Sequence, residues 1–396
     1  MSQTTVKGAS STPKRIPIGI VGTAFCLFLI SGAVNLQAPL YGLYASAGSY
    51  GAGFAAAAFA CYVGGLVPML ILLGGLSDRI GRKPPLCAAL ALAMCATVVL
   101  IVEPTLGAVA VSRFLLGMAV GLMSGAGTAF VTEQLPTDAP ATFGASVVTA
   151  STSLGFGLGP LLTSIWPPQT VTDVPTTYLV YLPVAFAGIV LLVLMRETGP
   201  ARASARWLRL PTFPAGGFVY GIAIATAWAA SGAIIAVVPL QLAKIGLERW
   251  SGMVDFLIIC PGLIGVWIGR RLSPRAAVSI GLILAPLGYV MTVAGVIHAN
   301  AAVTLAGSAI AGVACYGLTY LGGLSATLSL APPEDKARAS AGFFLFAYFG
   351  FSVPVVVLGF LGDHIGPSRA LILSAAVIVG AALATLACIA MRKANR

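Results

Sequence analysis

Apolar residues in this chain come in long blocks rather than in alternation. Twelve blocks can be counted, at 18–43, 52–74, 84–102, 106–131, 142–166, 177–195, 214–240, 251–270, 275–297, 302–329, 339–361 and 369–391, each broken off by charges or by clusters of Pro, Gly and Asn. About 20 mostly apolar residues suffice for a helix to cross the hydrocarbon of a bilayer. Continuous runs without a period of two point to helices and away from a barrel. The pattern predicts an all-α membrane protein of twelve transmembrane helices joined by short connectors. The first seventeen residues are polar. The run after them is too long for a secretory leader, whose apolar part spans about 7–15 residues before a small-residue cleavage site, so the first helix is expected to be retained.

Lys and Arg set the orientation of such a chain. With the N-terminus inside, eighteen of the 22 Lys and Arg fall on the inner side. Lys244, Arg249 and Arg369 fall on the outer side, and Arg113 lies within a helix. This asymmetry predicts cytoplasmic N- and C-termini. The longest inner connector, about 196–213, is basic, carries Gly and Pro, and has six predicted helices on either side. The expected organisation is a cytoplasmic tail over 1–17, a six-helix bundle over 18–196, a cytoplasmic linker over 197–213, a second six-helix bundle over 214–391 and a tail over 392–396. Two such bundles suggest one pathway between them. The linker cations either lie against anionic lipid or are simply solvated.

Composition narrows the function. Hydrophobic residues make up 58% of the 396 and charged residues 8%, against roughly 25% charged in soluble domains. A soluble enzyme, a disordered chain and a nucleic-acid binder are thereby excluded. The net charge of +11 orients the chain and is no patch for nucleic acid. Cys26, Cys61, Cys87, Cys95, Cys260, Cys315 and Cys388 all sit in apolar runs without metal-binding spacing and read as small packing residues. No metal, disulfide or cofactor is expected. No Ser/His/Asp set and no G-x-x-x-x-G-K-[ST] loop occurs, which argues against an enzyme and against ATP-driven transport.

The most specific segment joins the second and third predicted helices, G-G-L-S-D-R-I-G-R-K-P-P-L over 74–86. Gly75 permits close helix approach and Gly81 a tight turn. Asp78 is an anion among cations, able to pair with Arg82 or to face the positive end of another helix. With Leu76, Asp78, Arg79, Gly81, Arg82 and Lys83 in place, the segment resembles the signature loop of the major facilitator superfamily. That resemblance implies two six-helix bundles and a brace at the inner gate, Asp78 facing the start of helix 11 near Ser340–Gly342. The plainer alternative is that these cations only set topology.

Two further segments extend the resemblance. In helix 4, Arg113, Gly117 and Gly121 resemble the family's R-x-x-x-G-x-x-x-G motif, whose arginine is associated with proton coupling. The two glycines share a face and permit close packing. Arg113 either faces the bundle interior or snorkels outward. In helix 5, Gly155, Gly159 and Pro160 resemble the antiporter motif of twelve-helix drug:proton antiporters, with Thr163 and Ser164 where that motif has its final glycines. A weaker echo of the loop lies at Gly269, Arg270 and Arg271, consistent with an internal repeat.

Coupling candidates are few. Helix 1 carries no acid and offers Asn35, Gln37, Tyr41 and Tyr44 instead. Glu103, Glu133 and Asp255 are the acids nearest the membrane. Asp255, about five residues into helix 8, is a proton carrier if buried, or an interfacial group paired with Arg249 or Lys244. Arg113 and Asp255 are therefore the coupling candidates. Asn35, Gln37, Trp228, Ser231, Gln241, Tyr316, Tyr320 and Tyr348 are candidates for lining a cavity suited to an apolar or weakly polar solute. The expected function is secondary transport by alternating access in an inner membrane, as proton-coupled efflux by a monomer. Its expected partners are the lipid bilayer, a small-molecule substrate and protons. Uptake by symport or facilitated diffusion is the alternative, and a non-transporting receptor a more distant one.

Overall fold

The computed structural model describes residues 17–137, 139–199 and 210–394. Lys7, Lys14, Arg15, Arg202, Arg206, Arg209 and Arg396 lie outside them. Every element among the described residues is helical. Twelve helices are long and apolar enough to span a membrane: α1 (Ile18–Ala47), α2 (Ala52–Leu72), α3 (Lys83–Val102), α4 (Leu106–Glu133), α5 (Thr142–Ile165), α6 (Thr176–Leu194), α7 (Phe218–Lys244), α8 (Glu248–Gly269), α9 (Pro274–Ile297), α10 (Ala301–Leu330), α11 (Pro333–Ile365) and α12 (Pro367–Met391). The starts are local chemistry. Thr105, Ser273 and Asn300 each accept a hydrogen bond from the backbone N–H three residues on, which satisfies one of the donors a helix leaves open at its N-terminus.

The apolar runs mark these spans to within a few residues, except where proline misleads. α1 and α7 run on past 43 and 240 because Pro39 and Pro239 interrupt without ending them. α1 passes through a short tight turn at Ala38–Leu40 and resumes at Tyr41, and α7 is interrupted at Val237 and resumes at Val238. A proline removes one ladder bond and displaces the preceding turn. These are broken helices in corresponding positions of the two halves, an arrangement that frames transport sites.

Packing repeats with an offset of six. In the first half α1 packs on α5, α2 on α4, and α3 on α4 and α6. In the second, α7 packs on α11, α8 on α10, and α9 on α10 and α12. The halves meet along two seams, α2 with α11 and α5 with α8. Twelve successive crossings put both ends of the described chain on one face, the terminal face, opposite a far face. Several contacts between the halves lie toward the far face. Gly42 meets Ala243, Phe54 meets Phe360, Gly359 meets Ala52 and Ala56, and Ser164 accepts a hydrogen bond from Gly252 N. Toward the terminal face, Arg270 donates to Ser146 across the α5–α8 seam. The start of α11 there lies against the linker, where Arg338 donates to the Leu210 carbonyl and Gly342 packs on Thr212 and Phe213.

Candidate functional site at the meeting of the two halves

Glycine contacts place the site residues. Gly65 on α2 lies against the Phe114 carbonyl, and Gly117 on α4 against the Tyr62 carbonyl and Leu66 nitrogen. A side chain at either would strike backbone. Gly121 continues this line against Met69. Such small-residue seams let helices approach in a membrane, where close packing replaces the hydrophobic drive. The consequence falls on Arg113, one turn before Gly117. Its guanidinium reaches across α2 to the Phe59 carbonyl (3.3 Å) and on to α1, at the Val34 carbonyl (2.7 Å) and Asn35 Oδ1 (3.4 Å). It also lies over the Phe59 and Tyr62 rings, 4.5 and 4.8 Å from their centroids. Arg113 is fully buried and does not snorkel.

The second glycine line does the same for α5. Gly155 packs on the Phe28 carbonyl and Gly159 on the Gly32 carbonyl of α1. That contact brings Asn35 close enough to donate to the Phe156 carbonyl at 3.1 Å. Asn35 thus joins Arg113 to α5. Pro160, the next residue, presents its carbonyl to Gly252 at the start of α8, so one short segment touches both halves. Thr163 and Ser164 also make contacts: Thr163 bonds Thr177 of α6, and Ser164 bonds Gly252 of α8.

Asp255 stands across the seam on α8. It is fully buried, and neither carboxylate oxygen has a hydrogen-bond partner. No ion pair links it to Arg249 or Lys244; Arg249 instead stacks on Trp250. Arg113 is the charged group that acts on it electrostatically, and Tyr41 and Tyr316 lie within its field. Among the described residues, Arg113 and Asp255 are the only charged side chains that are buried. Further buried atoms lack partners: one guanidinium nitrogen of Arg113, the Tyr41 hydroxyl and the Trp228 indole nitrogen, and the amide nitrogens of Gln37 and Gln241. Buried polar groups are normally bonded, and a cluster of unbonded ones marks a place where water, a proton or a ligand belongs.

An aromatic path leads from this cluster into the second half. Phe59 meets Phe351 (5.0 Å between centroids), Phe351 meets Trp228 (5.8 Å), and Trp228 meets Tyr316 (5.4 Å) and Tyr348 (5.5 Å). Tyr348 stacks on Phe344, which meets Tyr320. Ser231 donates to the Tyr316 hydroxyl at 2.8 Å. Tyr316 sits in a widened, π-helical stretch of α10, Val313–Thr319, a local irregularity common at functional sites. The sequence reading missed Phe59, Tyr62, Phe344 and Phe351. Their signal was the spacing of Phe344, Tyr348 and Phe351, three and four apart on α11.

The loop 74–86 forms a separate network at the terminal face. Gly81 has φ +95°, and the turn it allows brings Arg82 and Lys83 under the Glu197 carboxylate, which accepts both backbone N–H groups at 2.8 and 3.0 Å. The Arg82 guanidinium pairs with Asp78 (2.5 Å) and Glu133 (2.7 Å) and bonds Ser77. The Glu133 carboxylate beside it pushes the Arg82 side chain further up its range. Lys83 Nζ caps the end of α6 at the Val193 and Met195 carbonyls. These partners tie α3, α4 and α6 of one half together at their base. Glu133 belongs to this network, Glu103 is exposed, and of the three candidate acids Asp255 is the buried one.

Among the described residues no group of His, Cys, Asp and Glu is arranged to hold a metal ion. A cleft of about 520 Å³ opens at the far face between Leu40, Tyr50, Leu240 and Lys244. It includes none of Arg113, Asp255 and Trp228.

Residues 23–353 match the Major Facilitator Superfamily. No curated protein matches the sequence. Solved structures of the same fold include a mutant of the peptide transporter POT (TM-score 0.76, 18% identity, covering 96% of each chain) and a mutant of the nucleoside transporter NupG (TM-score 0.76, 11% identity, covering 93% of this chain and 98% of that one). A third is a bacterial homolog of the human lysosomal transporter Spinster in an inward-facing, occupied conformation (TM-score 0.70, 12% identity, covering 96% of this chain and 98% of that one). At these identities the likeness is one of fold.

Proposed function

The chain belongs to the major facilitator superfamily, and from that premise we propose that this multi-pass transporter exports small apolar or weakly polar compounds in exchange for protons. In this reading it works as a monomer in an inner membrane, with both termini cytoplasmic, and the bundles over 18–196 and 214–391 rock about the buried cluster. The observation that carries the reading is the Asp255 carboxylate, buried without a hydrogen-bond partner at the seam and within the field of Arg113. An ionisable group held inside a membrane protein needs either a partner or a proton. Arg113 is fixed to carbonyls of two helices. Asp255 has no such fixture, so it is the group that exchanges its proton as the halves rearrange.

The solute class follows from the surroundings. Trp228, Tyr316, Tyr348 and Phe351 offer flat apolar faces, and Gln37, Gln241 and the Trp228 indole offer a few unused donors. That mixture suits a solute with an aromatic or aliphatic body and one or two polar groups. A dianion would ask for more buried cations than the one present. The network around Asp78 holds the base of the first bundle, and in this reading braces the terminal-face gate when that gate closes.

Uptake of a small metabolite is the second reading. It is favoured by the lack of an acid in α1 and by Thr163 and Ser164, which stand where the antiporter motif has glycines and are committed to contacts with α6 and α8. Liposomes holding the purified protein and loaded with a panel of lipophilic dyes decide between them. Under an imposed pH gradient, antiport drives dye against the proton flow. Movement with the protons establishes symport. Solute that binds without crossing establishes a receptor.

A further inference from the structure

The α11–α12 connection at the far face repeats the loop signature of the terminal face. Leu76-x-Asp78-x-Ile80-Gly81 reads Leu361-x-Asp363-x-Ile365-Gly366 in the later segment. Both glycines take positive φ, +95° at Gly81 and +87° at Gly366, a conformation that side chains resist. In both places a new transmembrane helix begins at once, α3 at Lys83 and α12 at Pro367. The same local sequence thus makes the same turn on opposite faces of the membrane, as an inverted-topology relation requires.

The acid of the second copy has a defined partner. Asp363 Oδ1 accepts from Ala52 N and Oδ2 from Gly53 N, both at 2.8 Å. These are the first two residues of α2, so a carboxylate at the end of α11 caps a helix of the other half. The two open N–H groups and the positive end of the helix dipole both favour an anion there. The fit is close. A side chain on Gly51 would strike the Asp363 carboxylate, and one on Gly53 would strike the Phe360 ring. Gly359, one turn earlier on α11, packs on Ala52 and Ala56. The cap is therefore part of the α2–α11 seam at the face where the halves close on each other.

We propose that Asp363 is the far-face gate latch: it holds the halves together by capping α2, and this contact breaks in every cycle when the far face opens. The latch rests on the alternating-access reading, but it requires neither proton coupling nor any particular solute. Its partner is backbone, so it has no second side chain to mutate, and its electrostatic part weakens with salt because Asp363 is exposed.

The test measures the gate itself. Spin labels on cysteines introduced at Ala47 and Ser368, exposed sites at the far ends of α1 and α12, report its width by electron–electron double resonance, with exposed Cys95 and Cys388 changed to serine. No solute or gradient is needed, so a failure of the transport reading leaves this measurement intact. In Asp363→Ala the ratio of closed to open populations falls roughly two- to fivefold. Asp363→Asn, which keeps one acceptor and loses the charge, falls between Ala and the parent. His364→Ala, whose ring bonds only its own helix at Phe360 O, leaves the ratio unchanged. A merely structural role would lower the yield of Asp363→Ala without moving the ratio. Identical distance distributions in the parent, Asp363→Asn and Asp363→Ala overturn the latch.

Discussion

Two groups of charges in this transporter are built on opposite principles. At the terminal face Arg82 spends its guanidinium on Asp78, Glu133 and Ser77, while Glu197 and Lys83 cap neighbouring helices. At the meeting of the halves Arg113 is fixed but keeps one nitrogen without a partner, and Asp255 has no hydrogen bond at all. The first group is solvent-accessible and fully engaged within one half. The second is buried, spans the seam and is incomplete. An engaged network costs energy to disturb and so holds one shape. An incomplete one exchanges partners at little cost, because each unmet group gains by finding a proton, a water or a solute. In the proposed cycle the terminal-face network holds and the buried cluster switches, the reverse of the usual expectation that the interior is the rigid part.

The strongest way to break this comparison is Asp255→Asn. The amide keeps the size and loses the proton site. Uphill transport driven by a pH gradient is expected to fall by tenfold or more, while counterflow exchange of solute, which needs no net proton movement, persists. A variant that still concentrates solute against its gradient removes Asp255 from the coupling role and leaves the interior group without its switch.

Next in size is the glycine contact that places Arg113. Gly117→Leu puts four carbons against the Tyr62 carbonyl and forces α2 and α4 apart, costing about 1–3 kcal/mol or more. Thermal unfolding in detergent, followed by size-exclusion chromatography, reads this as a lower midpoint. Transport is expected to fall further than stability alone accounts for, since Arg113 then loses its reach to Phe59 and Val34. Equal losses in both would show that the arginine tolerates displacement.

Trp228→Ala tests the aromatic path. Removing the ring at the junction of Tyr316, Tyr348 and Phe351 should weaken apparent affinity for an aromatic solute about tenfold, or ~1.4 kcal/mol, with little change in maximal rate. Trp228→Phe restores most of it if the face matters and little if the unbonded indole N–H matters.

How much of this was legible in the sequence differs between the two groups. The terminal-face loop is encoded locally: Asp78 and Arg82 are four apart on one turn, and Gly81 announces the turn. The interior is encoded in separate pieces. Arg113 stands out because a charge in an apolar run must be explained, and Asp255 for the same reason. Phe59 and Phe351 do not stand out. In sequence they look the same as Phe186, which is exposed on the outer surface, because lipid-facing and core-facing positions are equally apolar and no polar face separates them. Only the seam between α2 and α11 makes the distinction. Asp363 was legible by comparison with Asp78, yet it reads as an ordinary loop charge until its partner across the halves is known.

The smallest effect sharpens the comparison most. Arg82→Ala removes two ion pairs whose members are 12%, 31% and 30% exposed. Pairs that water can reach are worth about 1 kcal/mol or less each, so the unfolding midpoint should drop by only a few degrees. Arg113→Ala removes three hydrogen bonds from a fully buried cation and leaves their buried acceptors unpaired, a larger loss of about 3 kcal/mol or more. Salt separates the two more cleanly than size does. At 1 M salt the screening length is about 3 Å, short enough to weaken the loop's ion pairs and too short-ranged to matter inside a bundle that excludes ions. The difference between parent and Arg82→Ala should shrink as salt rises from 0.05 to about 1 M, while the difference between parent and Arg113→Ala stays constant. If both shrink alike, the buried cluster is open to ions from the terminal face, and the division between a holding terminal-face network and a switching interior gives way to one continuous wet path.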